Sequence, residues 1–146
     1  MIVHYVDPSA WVKRHFQETG SEAMNALFRT SINAACSRVG IIEMVATVAR
    51  KSAQDSLTSA QTSGVLDNIR ADFAAFRVVL FDEPIASTAE VFAVRHRLRT
   101  MDALHLSSAL SLQPLGEIIM VSADSELLAA SAREGLTTMN PATTAG

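Results

Sequence analysis

Four carboxylates in this sequence stand where they could do chemistry together: Asp7, Glu43, Asp102 and Asp124. Asp7 follows the apolar run at residues 3–6, and Asp124 follows residues 118–121 after Ser122 and Ala123. Asp102 opens a helical segment, and Glu43 lies one turn into another. Carboxylates gathered around one point repel each other unless a cation sits among them. An all-oxygen set, with no cysteine and no close histidine pair, suits Mg²⁺ or Mn²⁺ better than Zn²⁺. Such a centre would lower the pKa of a bound water, place it in line with a phosphodiester and offset charge on the phosphate oxygens. The ion also reverses the local sign of the field, so an acidic pocket could accept a polyanion. That hydrolysis needs no protein nucleophile.

Taken singly, three of these acids have a structural explanation. Asp7 before Pro8 is a good N-cap and first-turn pair, and Asp124 precedes Ser125, Glu126 and Leu127 as an N-cap would. Asp102, two residues after Thr100, suits the positive end of a helix. Glu43 is harder to explain. It lies between Ile41-Ile42 and Met44-Val45, and its helical neighbours Val39, Gly40, Ala46 and Thr47 carry no cation. A carboxylate against an apolar surface needs a partner. A remote arginine, a metal ion or another chain are the options.

The elements that must position these acids alternate in kind. Residues 3–6, 34–39, 77–81 and 118–121 are short apolar runs rich in β-branched residues, with 136–139 a weaker fifth. Consecutive apolar positions suit strands buried on both faces. Between them, Leu66, Ile69, Phe73 and Phe76 recur at helical steps, as do Val91, Val94 and Leu98. Residues 41–51 and 102–112 also read as helices. Pro8 and Pro84 suit first helical turns, and Gly135 reads as a helix stop. The alternation predicts one α/β domain over residues 1–140 with a mainly parallel sheet, and a tail at 141–146 that frays. In such sheets ligands bind at the carboxyl ends of the strands, where the strand order switches. If the first and fourth strands are neighbours, Asp7 and Asp124 project from one edge.

Composition bounds the answer further. The 146 residues are 49% hydrophobic and 18% charged, with a net charge of −3, a globular balance. No apolar run exceeds about five residues, against the ~20 that span a bilayer. The opening residues 1–7 have no basic region and meet an acid early, so neither a signal peptide nor a membrane anchor is expected. With Cys36 alone, no internal disulfide or cysteine zinc cluster can form. The expectation is a soluble, cytoplasmic protein. The one dense basic run, Arg95-His96-Arg97-Leu98-Arg99, reads first as a solvated helix face.

The acids and their neighbours resemble a known family. Asp7-Pro8-Ser9-Ala10-Trp11-Val12-Lys13 resembles the opening D-x-S-x-[LW]-[VL]-K of PIN-domain proteins, particularly the VapC-like toxins of bacterial toxin–antitoxin modules. Leu98-Arg99-Thr100-Met101-Asp102-Ala103-Leu104-His105-Leu106 is similar to that family's L-R-x-x-D-A-L-H-L segment. Val121-Ser122-Ala123-Asp124 looks like its fourth block, and Glu43 falls in the helix of its second acid. The first and third blocks are fairly specific. The resemblance implies a five-stranded parallel sheet with the first and fourth strands adjacent. It also implies that Asp7, Glu43, Asp102 and Asp124 form a quartet binding Mg²⁺ or Mn²⁺ and cleaving RNA. A homodimer is implied too, with a small antitoxin whose C-terminal segment enters the acidic groove.

Other residues take supporting or structural readings. Ser9 and Ser122 could hold the acids or metal-bound waters, and both are ordinary helix-start residues. Lys13, Arg14 and Arg99 are candidate RNA contacts, as are Arg95 and Arg97, and solvent exposure explains them equally. Glu126 reads as an exposed first-turn acid, His105 as a packed core residue between Leu104 and Leu106, and Cys36 as inert. Trp11 and Phe16 are expected to pack the first helix. A phosphoacceptor domain would want a lysine after a late strand, yet only Lys13 and Lys51 exist. An aspartyl phosphatase would show D-x-D, where Asp7-Pro8-Ser9 stands. The stronger alternative is a catalytically silent PIN-like binding module within a protein complex.

Overall fold

The computed structural model describes residues 1–143, and five parallel strands form its centre. They are β1 (Ile2–Val6), β2 (Ala34–Ser37), β3 (Arg77–Val79), β4 (Glu117–Val121) and β5 (Thr137–Met139), in the order β3-β2-β1-β4-β5. β1 lies between β2, where His4 pairs with Ala34, and β4, where Val3 pairs with Ile118 and Val6 with Val121. The strand order therefore switches between β1 and β4, with Asp7 and Ser122 immediately beyond their carboxyl ends. The Asp7 N–H still donates to the Val121 carbonyl at 2.9 Å, so the ladder holds Asp7 in place.

Seven α-helices cover the sheet among the described residues: α1 (Pro8–Trp11), α2 (Ser21–Phe28), α3 (Gly40–Gln54), α4 (Ser59–Ala75), α5 (Glu83–His96), α6 (Thr100–Leu110) and α7 (Ser125–Arg133). Two apolar cores result, one on each face. Val3, Tyr5, Ala35 and Met120 pack with Phe92, Leu106 and Leu127 of α5, α6 and α7. Val6, Cys36 and Val121 pack with Trp11, Met24, Met44, Val48 and Ile69 of α1 to α4. This double burial explains why the central strands β1, β2 and β4 read as largely continuous apolar runs rather than alternating ones. Gly40 opens α3 against β2, where a Cβ would overlap Cys36 Sγ, so α3 starts pressed against the sheet.

Several expectations need correction. The stripe Val91, Val94 and Leu98 is only partly a core face: Val91 and Val94 are exposed, Leu98 is buried in the core but lies beyond the end of α5, and Ile85 and Phe92 carry the packing of the helix. The basic run is not one helix face either. α5 ends at His96, Arg97 takes a left-handed backbone at φ 54°, and Arg99 is the N-cap position of α6. α2 was not anticipated, because Ser21–Phe28 mixes polar and small residues. Part of the expected tail at 141–146 is ordered by contacts. Pro141 is buried, and Asn140 Oδ1 accepts the Ala142 N–H at 2.9 Å; residues 144–146 lie outside those described.

Candidate active site

Asp7 caps α1, whose first turn holds Pro8, and is only 5% exposed. Its Oδ2 accepts from the Ser9 amide at 3.3 Å, from the Ser9 hydroxyl, and from Ser122 Oγ at 3.0 Å. The two serines also reach across the sheet edge. The Ala123 amide donates to Ser9 Oγ and the Asp124 amide to Ser122 Oγ, both at 3.0 Å. The ends of β1 and β4 are thus joined by side chains once the backbone ladder stops. Asp7 Oδ1 points the other way, 3.7 Å from His105 Nε2.

Asp124 is the N-cap of α7, with Oδ1 accepting the Glu126 and Leu127 amides at 2.9 and 3.1 Å. Glu126 itself is exposed. Asp102 stands in the first turn of α6, half-buried, and has no ion-pair partner among the described residues. Burial, with the Asp124 and Asp7 charges added, pushes its carboxyl up to about 6, against the opposing pull of His105 and Arg99. Carboxylates drawn from three separate segments are therefore close enough to feel one another. Among the described residues, no three acidic, histidine or cysteine side chains are already closed around a single point. The donor set still fits a hard divalent cation in kind: it is all oxygen, and the Asp102 carboxyl is raised by burial and by the Asp124 and Asp7 charges.

Glu43 has a partner within the chain, a histidine where a remote arginine was one of the expectations. Its Oε1 lies 2.6 Å from His105 Nε2, in the first turn of α3 after Gly40. His105 is buried at 1% exposure, as a packed residue should be, yet both ring nitrogens are engaged. Nδ1 is 2.7 Å from the hydroxyl of Tyr5, and that hydroxyl accepts the Ser37 amide at 3.1 Å. Burial works to lower the imidazole, but the Glu43 hydrogen bond and the Asp7, Glu43 and Asp102 charges raise it overall. Burial likewise pushes the Tyr5 phenol well up. The sequence signal for His105 was its spacing, three residues after Asp102 on the same helical face.

Two expected RNA contacts are engaged elsewhere. Lys13 is buried with Nζ 3.1 Å from Glu18, and Arg14 binds Asp72 through Nε and Nη2 at 2.9 and 2.7 Å. Asp72 also accepts from Trp11 Nε1 at 2.9 Å and lies 2.8 Å from His15 Nε2, so Trp11 is a packing residue. Arg95 pairs with Glu134. Arg99 remains exposed, close enough to lower the Asp102 carboxyl. Arg50 was overlooked. It lines a cavity of about 380 Å³ with Pro8, Ser9, Val12, Glu43 and Thr47, and its place seven residues beyond Glu43 puts both on one helix face.

The family model of the PIN domain matches residues 4–132, which include all four acids. Ribonuclease VapC45 of Mycobacterium tuberculosis is 32% identical over 117 residues, covering 80% of this chain and 81% of that protein. Among solved structures, FitAcB from Neisseria gonorrhoeae superposes with a TM-score of 0.71 at 17% identity, over 97% of this chain and 98% of that one. A toxin–antitoxin complex from Klebsiella pneumoniae gives a TM-score of 0.66 at 14% identity, over 94% and 98%. At those identities the structures speak for the fold, with its adjacent first and fourth strands. The family match over most of the chain and the VapC relative over four-fifths of it go further: this protein belongs to the PIN-domain family, as a VapC-like member.

Proposed function

We propose that this protein is a divalent-metal-dependent endoribonuclease, the toxin of a toxin–antitoxin pair. The observation that carries the reading is the Asp102 carboxyl, raised to about 6 by burial and by the Asp124 and Asp7 charges at the strand-order switch. In this reading Asp7, Glu43, Asp102 and Asp124 hold Mg²⁺ or Mn²⁺. The ion, when bound, supplies an activated water and offsets charge on the scissile phosphate. Ser9 and Ser122 orient Asp7, fixing Oδ2 and leaving Oδ1 toward the site. Arg99 and Arg50, at the rim, contact the phosphates of single-stranded RNA, in place of Lys13 and Arg14.

The relative named a ribonuclease supports RNA as substrate, and the fold neighbour solved as a toxin–antitoxin complex supports a cognate antitoxin. No described helix is long and apolar enough to cross a membrane, in keeping with a cytoplasmic enzyme. Phe81 stands exposed beside a groove lined by Ala86, Ala89 and Ala93, apolar surface of the kind a homodimer would cover. The test is cleavage of RNA by antitoxin-free protein with Mn²⁺, with EDTA, and with Asp7→Asn and Asp102→Asn in parallel. Cleavage that needs metal and vanishes in both variants is expected. Full activity in either variant would remove the proposed centre. Absence of both cleavage and metal binding would leave a silent binding module.

A further inference from the structure

We propose that the buried Tyr5–His105 pair is a positioning device for Glu43, an inference resting on the metal-site reading above. The Ser37 amide can only donate, so the Tyr5 oxygen accepts from it at 3.1 Å. On this proposal the phenol hydrogen goes to His105 Nδ1, 2.7 Å away. With Nδ1 as acceptor, a neutral ring carries its proton on Nε2, aimed at Glu43 Oε1 at 2.6 Å. A relay of four groups thus runs from the β2 backbone through β1 and α6 to α3. It fixes one oxygen of Glu43, a long side chain with an exposure of 29% whose nearest helical neighbours carry no cation.

Geometry favours positioning over general packing. Histidine fully buried among Leu104, Leu106 and Ala109 would be better replaced by leucine, unless its two nitrogens were needed where they point. Nε2 also stands 3.7 Å from Asp7 Oδ1, so one N–H faces two acids from different elements, the end of β1 and the first turn of α3. His105 and Tyr5 touch no substrate in this scheme. They act through Glu43, which loses a defined rotamer when they are removed.

The test uses the full chain and Mn²⁺ alone as the probe. Long-range ¹H–¹⁵N NMR, at a pH high enough to leave the ring neutral, should show His105 with Nε2 protonated and Nδ1 as an acceptor. In Tyr5→Phe this tautomer preference should weaken. Mn²⁺ affinity by calorimetry should fall about tenfold in Tyr5→Phe and His105→Ala, the usual cost of losing an outer hydrogen bond to a ligand. His105→Gln, whose amide can still donate to Glu43, should recover most of it, which a purely structural role would not predict. Thermal unfolding of each variant serves as the folding control. A proton on Nδ1 in the parent, or equal Mn²⁺ affinity in parent and folded variants, overturns the inference while leaving the metal site standing. A parent that binds no Mn²⁺ overturns the site and this inference with it.

Discussion

Replacing Asp102 by asparagine should make the metal-free protein more stable at neutral pH. The Asp102 carboxyl is raised from 3.8 to about 6 in the fold. That is about two units, and each unit corresponds to about 1.4 kcal/mol of preference for the neutral form. The full conversion, about 3 kcal/mol, is an upper bound, because solvent at this half-buried side chain screens part of the repulsion. An ionised acid in the first turn of α6 also gains about 0.5 kcal/mol from the helix dipole, which asparagine forgoes. A net gain of about 1–2 kcal/mol is expected for Asp102→Asn above pH 7.

The pH dependence follows from the sign of the shift. Below about pH 4 Asp102 is neutral in folded and unfolded chains alike, and the repulsion costs nothing. Between about 4 and 6 the unfolded chain ionises first, so the parent loses stability as pH rises. Above 6 the whole cost is present. The difference between variant and parent should therefore open across that window and then level off. Urea unfolding of both proteins in EDTA, from pH 4 to 8, measures it. A difference that stays constant across the window would refute the claim that Asp102 ionises under duress. With Mn²⁺ added the order should reverse, because only the parent keeps all four acids.

Two further perturbations test the frame around the site. Burial alone would raise Asp72, but His15, Arg14 and Trp11 hold it well below the usual carboxylate range, so its stabilisation is present at neutral pH and is lost only in strong acid. Asp72→Ala should lower stability by about 3 kcal/mol at pH 7 by leaving Arg14 and Trp11 without their acceptor, measurable by urea unfolding against parent. Gly40→Ala should cost about 1–3 kcal/mol, since the new Cβ overlaps Cys36 Sγ and must push α3 from the sheet. Gly64→Ala, in mid-α4 with nothing within 4 Å, should instead raise stability by about 0.5–1 kcal/mol; thermal melts of the pair decide the comparison.

What the sequence revealed was local, and what it hid was long-range. The strands were legible because burial on both faces leaves continuous apolar runs, and the Asp7-Pro8 and Asp124 caps because capping is a matter of neighbouring residues. The adjacency of β1 and β4 was first a condition for Asp7 and Asp124 to meet, and then an implication of the resemblance; the strand order bears it out. The Glu43 partner was hidden because His105 lies 62 residues away on another helix. Lys13 and Arg14 looked available for the same reason. Asp72, 58 residues beyond Arg14, comes to it only through the packing of α4. The α5 stripe misled because apolar residues at helical spacing do not say which face the sheet will take, and α5 packs through Ile85 and Phe92.

Capping and chemistry look like rival explanations for Asp7 and Asp124 only while a carboxylate is treated as one group. Each has two oxygens, and the structure divides them. Asp124 gives Oδ1 to the amides of Glu126 and Leu127, while Oδ2 takes no hydrogen bond from a described residue. Asp7 gives Oδ2 to Ser9 and Ser122 and turns Oδ1 toward His105. The cap removes the freedom of χ1 and χ2 that an exposed aspartate would keep, so the second oxygen is aimed without any additional element. The same economy runs through the site. The last residue of β1 and the turn after β4 must end somewhere, and the strand-order switch makes them end side by side. Helix starts placed there acquire acids for reasons of folding, and those acids then stand close enough to add to the burial that raises Asp102. Glu43 has no such cap to hold it, and its hydrogen bond comes instead from His105 on α6.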